Sequence, residues 1–342
     1  MNEWISEEFA DLTPEDVYAR YWSWSRDMFD IAHVEQMDED EVLHWMSRLQ
    51  NAREDLLTWG WRSFVPGELQ SRLRFIRLGS AARGEDLPRS DMDYALWAAE
   101  PVQVADIEDS LVEMVRGMAA LGFPPCHGNV MGTNWRWLGT TVDWRTRTGE
   151  YFSFPDWKNA RYLFMMIDSK PLAQPCESWS EIVDDVRRGI RSSPFLCWQM
   201  AHLGIHKTVG IDVLGRPKTK ERDGELVFEL KDGLLSPIIH SLRLLALREA
   251  LDVLPSLDRL AGLASANALS EDFAASLRSA LIFGWKLRAI QHLRILRGAA
   301  DEQDDVVKWD RLSGEDREHL TRHLRTAKHL ERMVHRMFPK PR

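Results

Sequence analysis

The chain is organised around one stretch, residues 78–97, in which two strand-like runs flank a turn of small residues. The first run ends at Leu78, and the second carries Asp91 and Asp93. In an extended strand, side chains two positions apart point to the same face, so these carboxylates project together and Met92 points into the opposite layer. Neighbouring carboxylates resist joint ionisation unless a positive charge lies between them. A divalent metal ion meets that need, because oxygen ligands suit Mg²⁺ and a bound phosphate supplies the remaining ones.

The turn before the aspartates has the composition of a phosphate-binding loop. Gly79 permits a close approach of the backbone to a ligand, and Ser80 adds a hydroxyl group. Arg83 and Gly84 extend the loop with a charge that suits phosphate oxygens. A surface hairpin that carries two acids is the alternative, since such pairs are common on solvated turns. The combination of the Gly-Ser turn with the acid pair favours the nucleotide-phosphate interpretation.

Composition limits the classes of protein to which the chain can belong. Its 342 residues, of which 44% are hydrophobic and 28% charged, suit one large or two medium-sized globular domains. The net charge of −9 argues against a generally basic nucleic-acid-binding protein. Three widely spaced cysteines fit a reducing cytoplasm, and neither a secretory signal nor an apolar run near the ~20 residues of a membrane span is apparent. We therefore expect a cytoplasmic protein with no membrane partner.

Apolar periodicity predicts a helical N-terminal arm followed by a small sheet. Helices are expected over residues 17–29 and 38–59, within an arm that spans residues 1–62. The arm either caps the following domain, which is the simpler interpretation, or acts as a regulatory or dimerising segment, so that a homodimer stays open. A further helix over 106–121 and a third strand around 129–131 complete a small mixed sheet backed by helices, which is an α+β arrangement.

The second half of the chain is predicted to be helical throughout. Four long helices are expected, over residues 179–209, 234–251, 271–296 and 314–337. Their short connections favour a helical bundle. A short hairpin or loop is expected between the first two helices, over residues 213–228.

The Gly-Ser turn followed by Asp-x-Asp resembles the signature of polymerase-β-type nucleotidyltransferases. A closer resemblance is to nucleotidyltransferases of signal-transduction type, which often follow CBS or cyclic-nucleotide-binding domains and are related to protein-PII uridylyltransferases. The likeness spans about residues 70–335, and these segments carry it in order: 79–85, 90–96, 122–131, Asn134, Trp137, 144–145, 167–172, 230–238, Arg243, 287–288 and Gln291. The chain departs from the family at Ala81-Ala82, where a small-acidic-Gly turn is usual, and over 91–94, where Asp-Met-Asp-Tyr replaces Asp-Gln-Asp-Asn. No CBS pair is apparent, and both metal-binding carboxylates are retained.

The resemblance implies a polymerase-β-type catalytic domain over residues 63–175 and a helical substrate-binding domain over residues 176–342. It implies Mg²⁺-dependent transfer of a nucleoside monophosphate from a nucleoside triphosphate to an acceptor protein or small molecule, with release of pyrophosphate. Mn²⁺ can take the place of Mg²⁺ in such a reaction. The implied metal ligands are Asp91 and Asp93, and Asp168 is the predicted third carboxylate, with a helix or strand cap as its alternative role. The implied nucleotide-binding residues of the turn are Gly79, Ser80, Arg83 and Gly84.

Charged residues in the second half are further candidates for a site. Lys231 and Gly233 precede an expected helix start at Pro237, where a positive side chain and free N–H groups could bind an anion. An ordinary turn is the alternative at this position. Arg243 and Arg288 are expected on the inner face of the bundle, and an ion pair is the alternative role of Arg288.

Three histidines are candidates for metal binding by residue type. His127 adjoins Cys126, but no further Cys or His lies nearby in the sequence, which favours a hydrogen-bonding role in a loop. His202 and His206 are four residues apart on a predicted helix and share a face. The glutamate of the His-Glu-x-x-His zinc motif is missing there, so structural imidazoles or contacts to an acceptor are expected.

Two other functions stay open at this point. The first is a catalytically idle nucleotide-binding module that senses nucleoside triphosphates or regulates a partner, which the altered turn would suit. The second is an enzyme that adds nucleotides to RNA ends. The acidic net charge argues against nucleic acid as a partner, because binding a phosphate backbone needs clustered Lys and Arg.

Overall fold

The computed structural model describes residues 12–202, 208–299 and 305–341, and the chain divides into two compact units. The mixed-sheet unit contains Met1–Asp30, His44–Phe154 and Tyr162–Arg187, and the helical unit contains Ile31–Leu43, Pro155–Arg161 and Arg188–Arg342. The domain boundaries expected after residues 62 and 175 stay predictions. Among the described helices, none is both long and apolar enough to cross a membrane.

The elements of the first half begin with four helices and continue with a sheet interrupted by further helices. In chain order they are α1 (Pro14–Met28), α2 (Ile31–Gln36), α3 (Glu39–Phe64), α4 (Gly67–Arg72), β1 (Leu73–Leu78), α5 (Gly79–Arg83), β2 (Tyr94–Ala98), α6 (Glu108–Ala120), β3 (Leu138–Gly139), α7 (Thr141–Ser153), α8 (Trp157–Ile167) and β4 (Ser169–Pro171).

Four short strands form the sheet of the mixed-sheet unit, in the order β3-β2-β1-β4. Strand β1 is antiparallel to β2 and β4, whereas β2 and β3 are parallel, so the sheet is mixed. Its centre is apolar: Ile76 pairs with Ala95, and the rings of Phe75 and Tyr94 stack with centroids 4.6 Å apart. The prediction of an α+β fold with a small mixed sheet is confirmed.

Helix α3 covers the sheet because its apolar stripe faces inward. Leu49 and Leu56 are fully buried, and Trp61 meets the ring of Phe75 on β1 edge to face, with centroids 5.6 Å apart. Burial of this stripe stabilises the helix far more than its intrinsic propensity does. The same helix therefore carries side chains to the loops at the end of β1.

The third strand expected around residues 129–131 is wrong. The strand that pairs with β2 is β3, which lies further along the chain. Asn129 has a left-handed conformation, with φ of 53°, and its N–H donates to the carbonyl oxygen of Cys126 at 2.9 Å. The segment forms a turn for that reason, although the N–H of Tyr94 still donates to the carbonyl oxygen of Val130 at 3.0 Å.

The second half consists of six helices and a second sheet within the residues that the structure describes. In chain order the elements are α9 (Glu177–Arg191), α10 (Pro194–His202), β5 (Lys220–Arg222), β6 (Glu225–Glu229), α11 (Ser236–Arg248), α12 (Ser256–Ser265), α13 (Glu271–Leu296), β7 (Val306–Lys308) and α14 (Gly314–Met337). Helices α11 to α14 pack against one another, which confirms the predicted helical C-terminal region.

The bounds predicted from the sequence are wrong for two of the four long helices. The helix expected over 179–209 is interrupted, because Pro194 starts a new helix, α10, whose first turn is capped by the Ser193 hydroxyl at 3.2 Å from the N–H of Leu196. The helix expected over 234–251 ends earlier, as α11, and is followed by the separate helix α12. Helices α13 and α14 have the predicted bounds.

The second sheet has the order β5-β6-β7, and all of its pairs are antiparallel. Strands β5 and β6 form a hairpin within the segment where a hairpin or loop was expected. Strand β7 was not predicted, since it lies beyond α13 and pairs with a distant part of the chain.

Candidate active site

Asp91 and Asp93 lie in the extended segment that leads into β2. Met92 between them is buried, its N–H donates to the carbonyl oxygen of Pro124 at 3.1 Å, and it forms an isolated parallel bridge with Pro125. This pairing keeps the backbone extended, so both half-exposed aspartates project to the opposite side. The structure thus brings the two carboxylates together.

A thiol joins the two carboxylates, and Asp91, Asp93 and Cys126 together form a metal-capable group. Asp91, Asp93 and Cys126 each offer one ligand atom, and these three atoms lie within 4.8 Å of one another. Burial, reinforced by the nearby Asp93, raises the pKa of Cys126 to about 12. A hydrogen bond with Asp93 adds to the rise in the pKa of this thiol, and one with the backbone of Val130 opposes it. Two carboxylates and a sulfur are a donor set that fits a divalent metal ion.

The Gly-Ser turn lies against the acid pair at the end of β1. Leu78 donates its N–H to the carbonyl oxygen of Asp93 at 3.0 Å, and Gly79 donates its N–H to that of Asp168 at 2.9 Å. Gly79 has φ of +60°, and a Cβ atom there would lie 3.4 Å from Oδ2 of Asp93. Glycine is therefore favoured by the backbone conformation, and it leaves the space beside that carboxylate open. Ser80 follows it, half-exposed, in the five-residue helix α5.

Arg83 and Asp168 bind each other beneath the turn. The Arg83 guanidinium is buried between Glu85, with Nε 2.7 Å from Oε2, and Asp168, with a terminal nitrogen 2.6 Å from Oδ2. Burial lowers the pKa of Arg83, but the two carboxylates outweigh it and hold that pKa above the usual range. Asp168 is fully buried, and among the described residues it is not a member of the metal-capable group. Gly84 ends the turn in a left-handed conformation, with φ of 70°.

Arg53 on α3 fixes the loop that leads to Asp91, and sequence reasoning did not find it. Its guanidinium is buried, forms an ion pair with Asp86, and donates to the carbonyl oxygens of Pro88 at 3.2 Å and Ser90 at 3.0 Å. It also lies 3.7 Å from the centroid of the Phe123 ring, a cation–π contact. No local pattern marks this role, because its partners are more than thirty residues further along the chain.

We expect Arg53→Lys to lower the free energy of unfolding by about 1–3 kcal/mol. Lysine keeps the charge but cannot reach Asp86 and both carbonyl oxygens with one planar group, so hydrogen bonds to a charged donor are lost. Urea denaturation of the full chain measures the change. Arg48→Lys, at an exposed position of the same helix, is the matched control and should change stability by no more than about 0.5 kcal/mol. Equal effects of the two substitutions would contradict the assignment.

Lys231 lies in the helical unit, and α11 begins at Ser236 with Pro237 in its first turn, close to the expected helix start. Residues Lys231–Leu235 form a π-helical turn continuous with α11, and the N–H of Ser236 donates to the carbonyl oxygen of Lys231. The N–H groups expected to bind an anion are therefore inside a continuous helix. Lys231 forms an ion pair with Asp305, at 3.3 Å, and Arg288 binds the same carboxylate at 2.7 Å. Burial raises the pKa of Asp305, but Arg288 and Lys231 together leave it lowered.

The described histidines that the sequence singled out differ in their surroundings. His127 is exposed to solvent. His202 bonds through Nδ1 to the carbonyl oxygen of Trp198, at 3.0 Å, and its ring stacks on His335 with centroids 4.5 Å apart. His206 lies outside the described residues.

A cavity of about 560 Å³ lies in the helical unit, between the start of α3 and helices α13 and α14. Lys286 on its wall donates to the carbonyl oxygen of Met37 at 2.6 Å, and His323 packs beside Phe283 with ring centroids 5.0 Å apart. Burial, with smaller contributions from neighbouring basic groups, lowers the pKa of His323 to about 4, so this imidazole is neutral near pH 7. None of the site residues predicted from the sequence lines this cavity.

Comparison with known protein families gives two matches along the chain. Residues 35–158 match the family described as putative nucleotidyltransferase DUF294, and residues 194–338 match the family described as putative nucleotidyltransferase substrate binding domain. The two matches follow one another and cover most of the chain. The chain belongs to this nucleotidyltransferase family, which confirms the resemblance drawn from its motifs. A search of curated proteins found no significant match.

Proposed function

We propose that this protein transfers a nucleoside monophosphate from a nucleoside triphosphate to an acceptor, with release of pyrophosphate. The observation that carries the proposal is the pair of carboxylates of Asp91 and Asp93, gathered within 4.8 Å beside the turn at Gly79. Membership of a nucleotidyltransferase family supports the same reaction. In this reaction an acceptor oxygen forms a bond to the α-phosphorus, the bond to pyrophosphate breaks, and the acceptor proton is released.

Some residues of the proposed site would contact the metal ion or the nucleotide, and others would hold those residues in position. Asp91 and Asp93 would hold a divalent ion, Mg²⁺ or Mn²⁺, which when bound neutralises the triphosphate charge and activates the transferred group. Gly79 leaves room for a phosphate beside Asp93, and the Ser80 hydroxyl can donate to one of its oxygens. Gly84 lets the turn close behind them.

Arg83 and Asp168 are assigned to positioning in this proposal. The carboxylate of Asp168 is bound by Arg83, and its carbonyl oxygen fixes the N–H of Gly79. Together they hold the turn at a set distance from the acid pair. This assignment replaces the expectation that Arg83 binds phosphate and that Asp168 binds metal, because each side chain has the other as its partner.

The acceptor is proposed to be a protein or a small molecule bound by the helical unit. Support comes from the family description of residues 194–338 as a substrate binding domain. We propose no phosphate contact for Lys231, since Asp305 binds its ammonium group. Nucleic acid is disfavoured by the net charge of −9.

A catalytically idle nucleotide-binding module is the second candidate. The specific observation in its favour is that Asp168, the expected third carboxylate, is occupied by Arg83, which leaves two carboxylates and a thiol in the group. Such a module would bind a nucleoside triphosphate without turnover and report its level to a partner.

Incubation with each α-labelled nucleoside triphosphate, in Mg²⁺ or Mn²⁺, tests the proposal. We expect label to leave the triphosphate and to appear on protein or on a small molecule, with release of one pyrophosphate per transfer. Chromatographic separation, with and without RNase, identifies the labelled product. Binding of nucleotide with no release of pyrophosphate would support the idle module instead, and RNase-sensitive label would identify RNA as the acceptor.

A further inference from the structure

Cys126 is the one member of the metal-capable group to which the proposed reaction gives no role. Its sulfur lies within 4.8 Å of the ligand oxygens of Asp91 and Asp93. All three ligand atoms thus lie close enough to face one space, which is where a metal ion would bind them.

The distances among the three ligand atoms are suited to binding a single metal ion. Bonds from a divalent metal to carboxylate oxygen and thiolate sulfur measure about 2.0–2.3 Å, so the ligand atoms around a tetrahedral ion lie about 3.3–3.8 Å apart. The three ligand atoms lie within 4.8 Å of one another, so they would have to approach by about 1–1.5 Å at most, a distance that side-chain rotation can supply.

The backbone that places the sulfur also places the acids. Pro125, next to Cys126, is bridged to Met92, which lies between the two aspartates. Further along the chain, the carbonyl oxygen of Val130 accepts a hydrogen bond from the N–H of Tyr94, the residue after Asp93, at 3.0 Å. The three ligand atoms therefore keep their relative positions as one unit rather than meeting by chance at a flexible surface.

We propose that Cys126 is a third protein ligand of the metal site at Asp91 and Asp93, which makes this site prefer thiophilic divalent ions such as Zn²⁺ and Cd²⁺ over Mg²⁺. The proposal rests on the proposed function for the place of the metal ion. On binding, the S–H proton is released to solvent and a sulfur–metal bond forms, with no change of oxidation state. Thiolate ligands select soft metals, whereas carboxylates alone suit Mg²⁺.

Titration of the full-length protein with Cd²⁺ tests this assignment by a spectroscopic signature. We expect ultraviolet charge-transfer absorption from a Cd²⁺–thiolate bond that saturates at one equivalent. Cys126→Ser should abolish the band and lower Cd²⁺ affinity by at least about 10–100-fold, while Cys197→Ser, in the helical unit, should leave both unchanged. Asp93→Asn should weaken Cd²⁺ binding as well, because the sulfur and that carboxylate share the ion.

X-ray absorption of the zinc-loaded wild-type protein gives a readout that needs no substitution. One sulfur bonded to zinc is the expected result, and a shell of oxygen and nitrogen alone would overturn the proposal. A Cd²⁺ band that persists in Cys126→Ser would overturn it too. The outcome is separable from that of the proposed function: a sulfur–metal signature without nucleotidyl transfer leaves this site standing, and transfer without the signature removes only the role of Cys126.

Discussion

Asp91→Asn and Asp93→Asn are each expected to lower nucleotidyl transfer by more than about 100-fold. Loss of a partner that merely orients a metal ligand costs about 10–100-fold in affinity or activity, so loss of a ligand itself should exceed that range. Asparagine keeps the shape of the side chain and removes the charge that attracts the ion. Initial rates of pyrophosphate release at saturating nucleotide measure the effect, together with the affinity for Mn²⁺.

The same variants should be no less stable than the wild type in metal-free buffer. Two carboxylates held close together repel each other, and removing one charge relieves that repulsion. Thermal unfolding in a metal chelator checks this expectation. Asp109→Asn, at an exposed position in the first turn of α6, is the matched control and should retain activity. If Asp91→Asn and Asp93→Asn transferred nucleotide at the wild-type rate, the acid pair would not be the site.

Arg83→Met is expected to have the largest effect on stability, about 3–5 kcal/mol. The substitution leaves Glu85 and Asp168 buried side by side with no counter-charge, and breaking a buried ion pair from one side costs roughly that amount. Urea denaturation measures it. The control is Arg145→Met, which removes an exposed pair with Glu181 and should cost no more than about 1 kcal/mol.

The deficit of Arg83→Met should shrink as the pH falls from 7 to 5. A carboxyl group stranded in the buried site takes up a proton more readily than in the unfolded chain, so its protonated form favours folding at low pH and this contribution is lost as pH rises. Adding Glu85→Gln and Asp168→Asn should recover most of the stability at pH 7. A deficit that does not depend on pH, and that the added substitutions leave in place, would show that Arg83 acts through packing alone.

Local sequence signals were sufficient to predict the structure of segments whose conformation depends mainly on their own residues. The bounds of α13 and α14 follow from serines that cap their first turns, Ser270 and Ser313, and from uninterrupted helix-forming sequence after them. The side-by-side projection of Asp91 and Asp93 follows from the period of an extended backbone. These features require no knowledge of distant contacts.

Features that depend on contacts between distant segments could not be predicted in this way. In the sequence, Arg53 is indistinguishable from any other basic residue on a helix. Only the packing of α3 brings it to the loop at Asp86. Cys126 lies 33 residues after Asp93 in the sequence, and its approach to the acids depends on the bridge between Met92 and Pro125. The turn at Asn129 is also missed by the strand prediction, because a left-handed conformation just before Val130 and Met131 leaves little trace in the pattern.

The order β5-β6-β7 has a consequence for how the chain reaches its folded state. Val227 on β6 pairs with Lys308 on β7, about 80 residues later, with three helices between them. During synthesis the β5–β6 hairpin leaves the ribosome with the outer edge of β6 unpaired, and this edge stays open until β7, beyond α13, pairs with it. Nascent chains stalled before Val306 should therefore be prone to self-association, and those released after α14 should not.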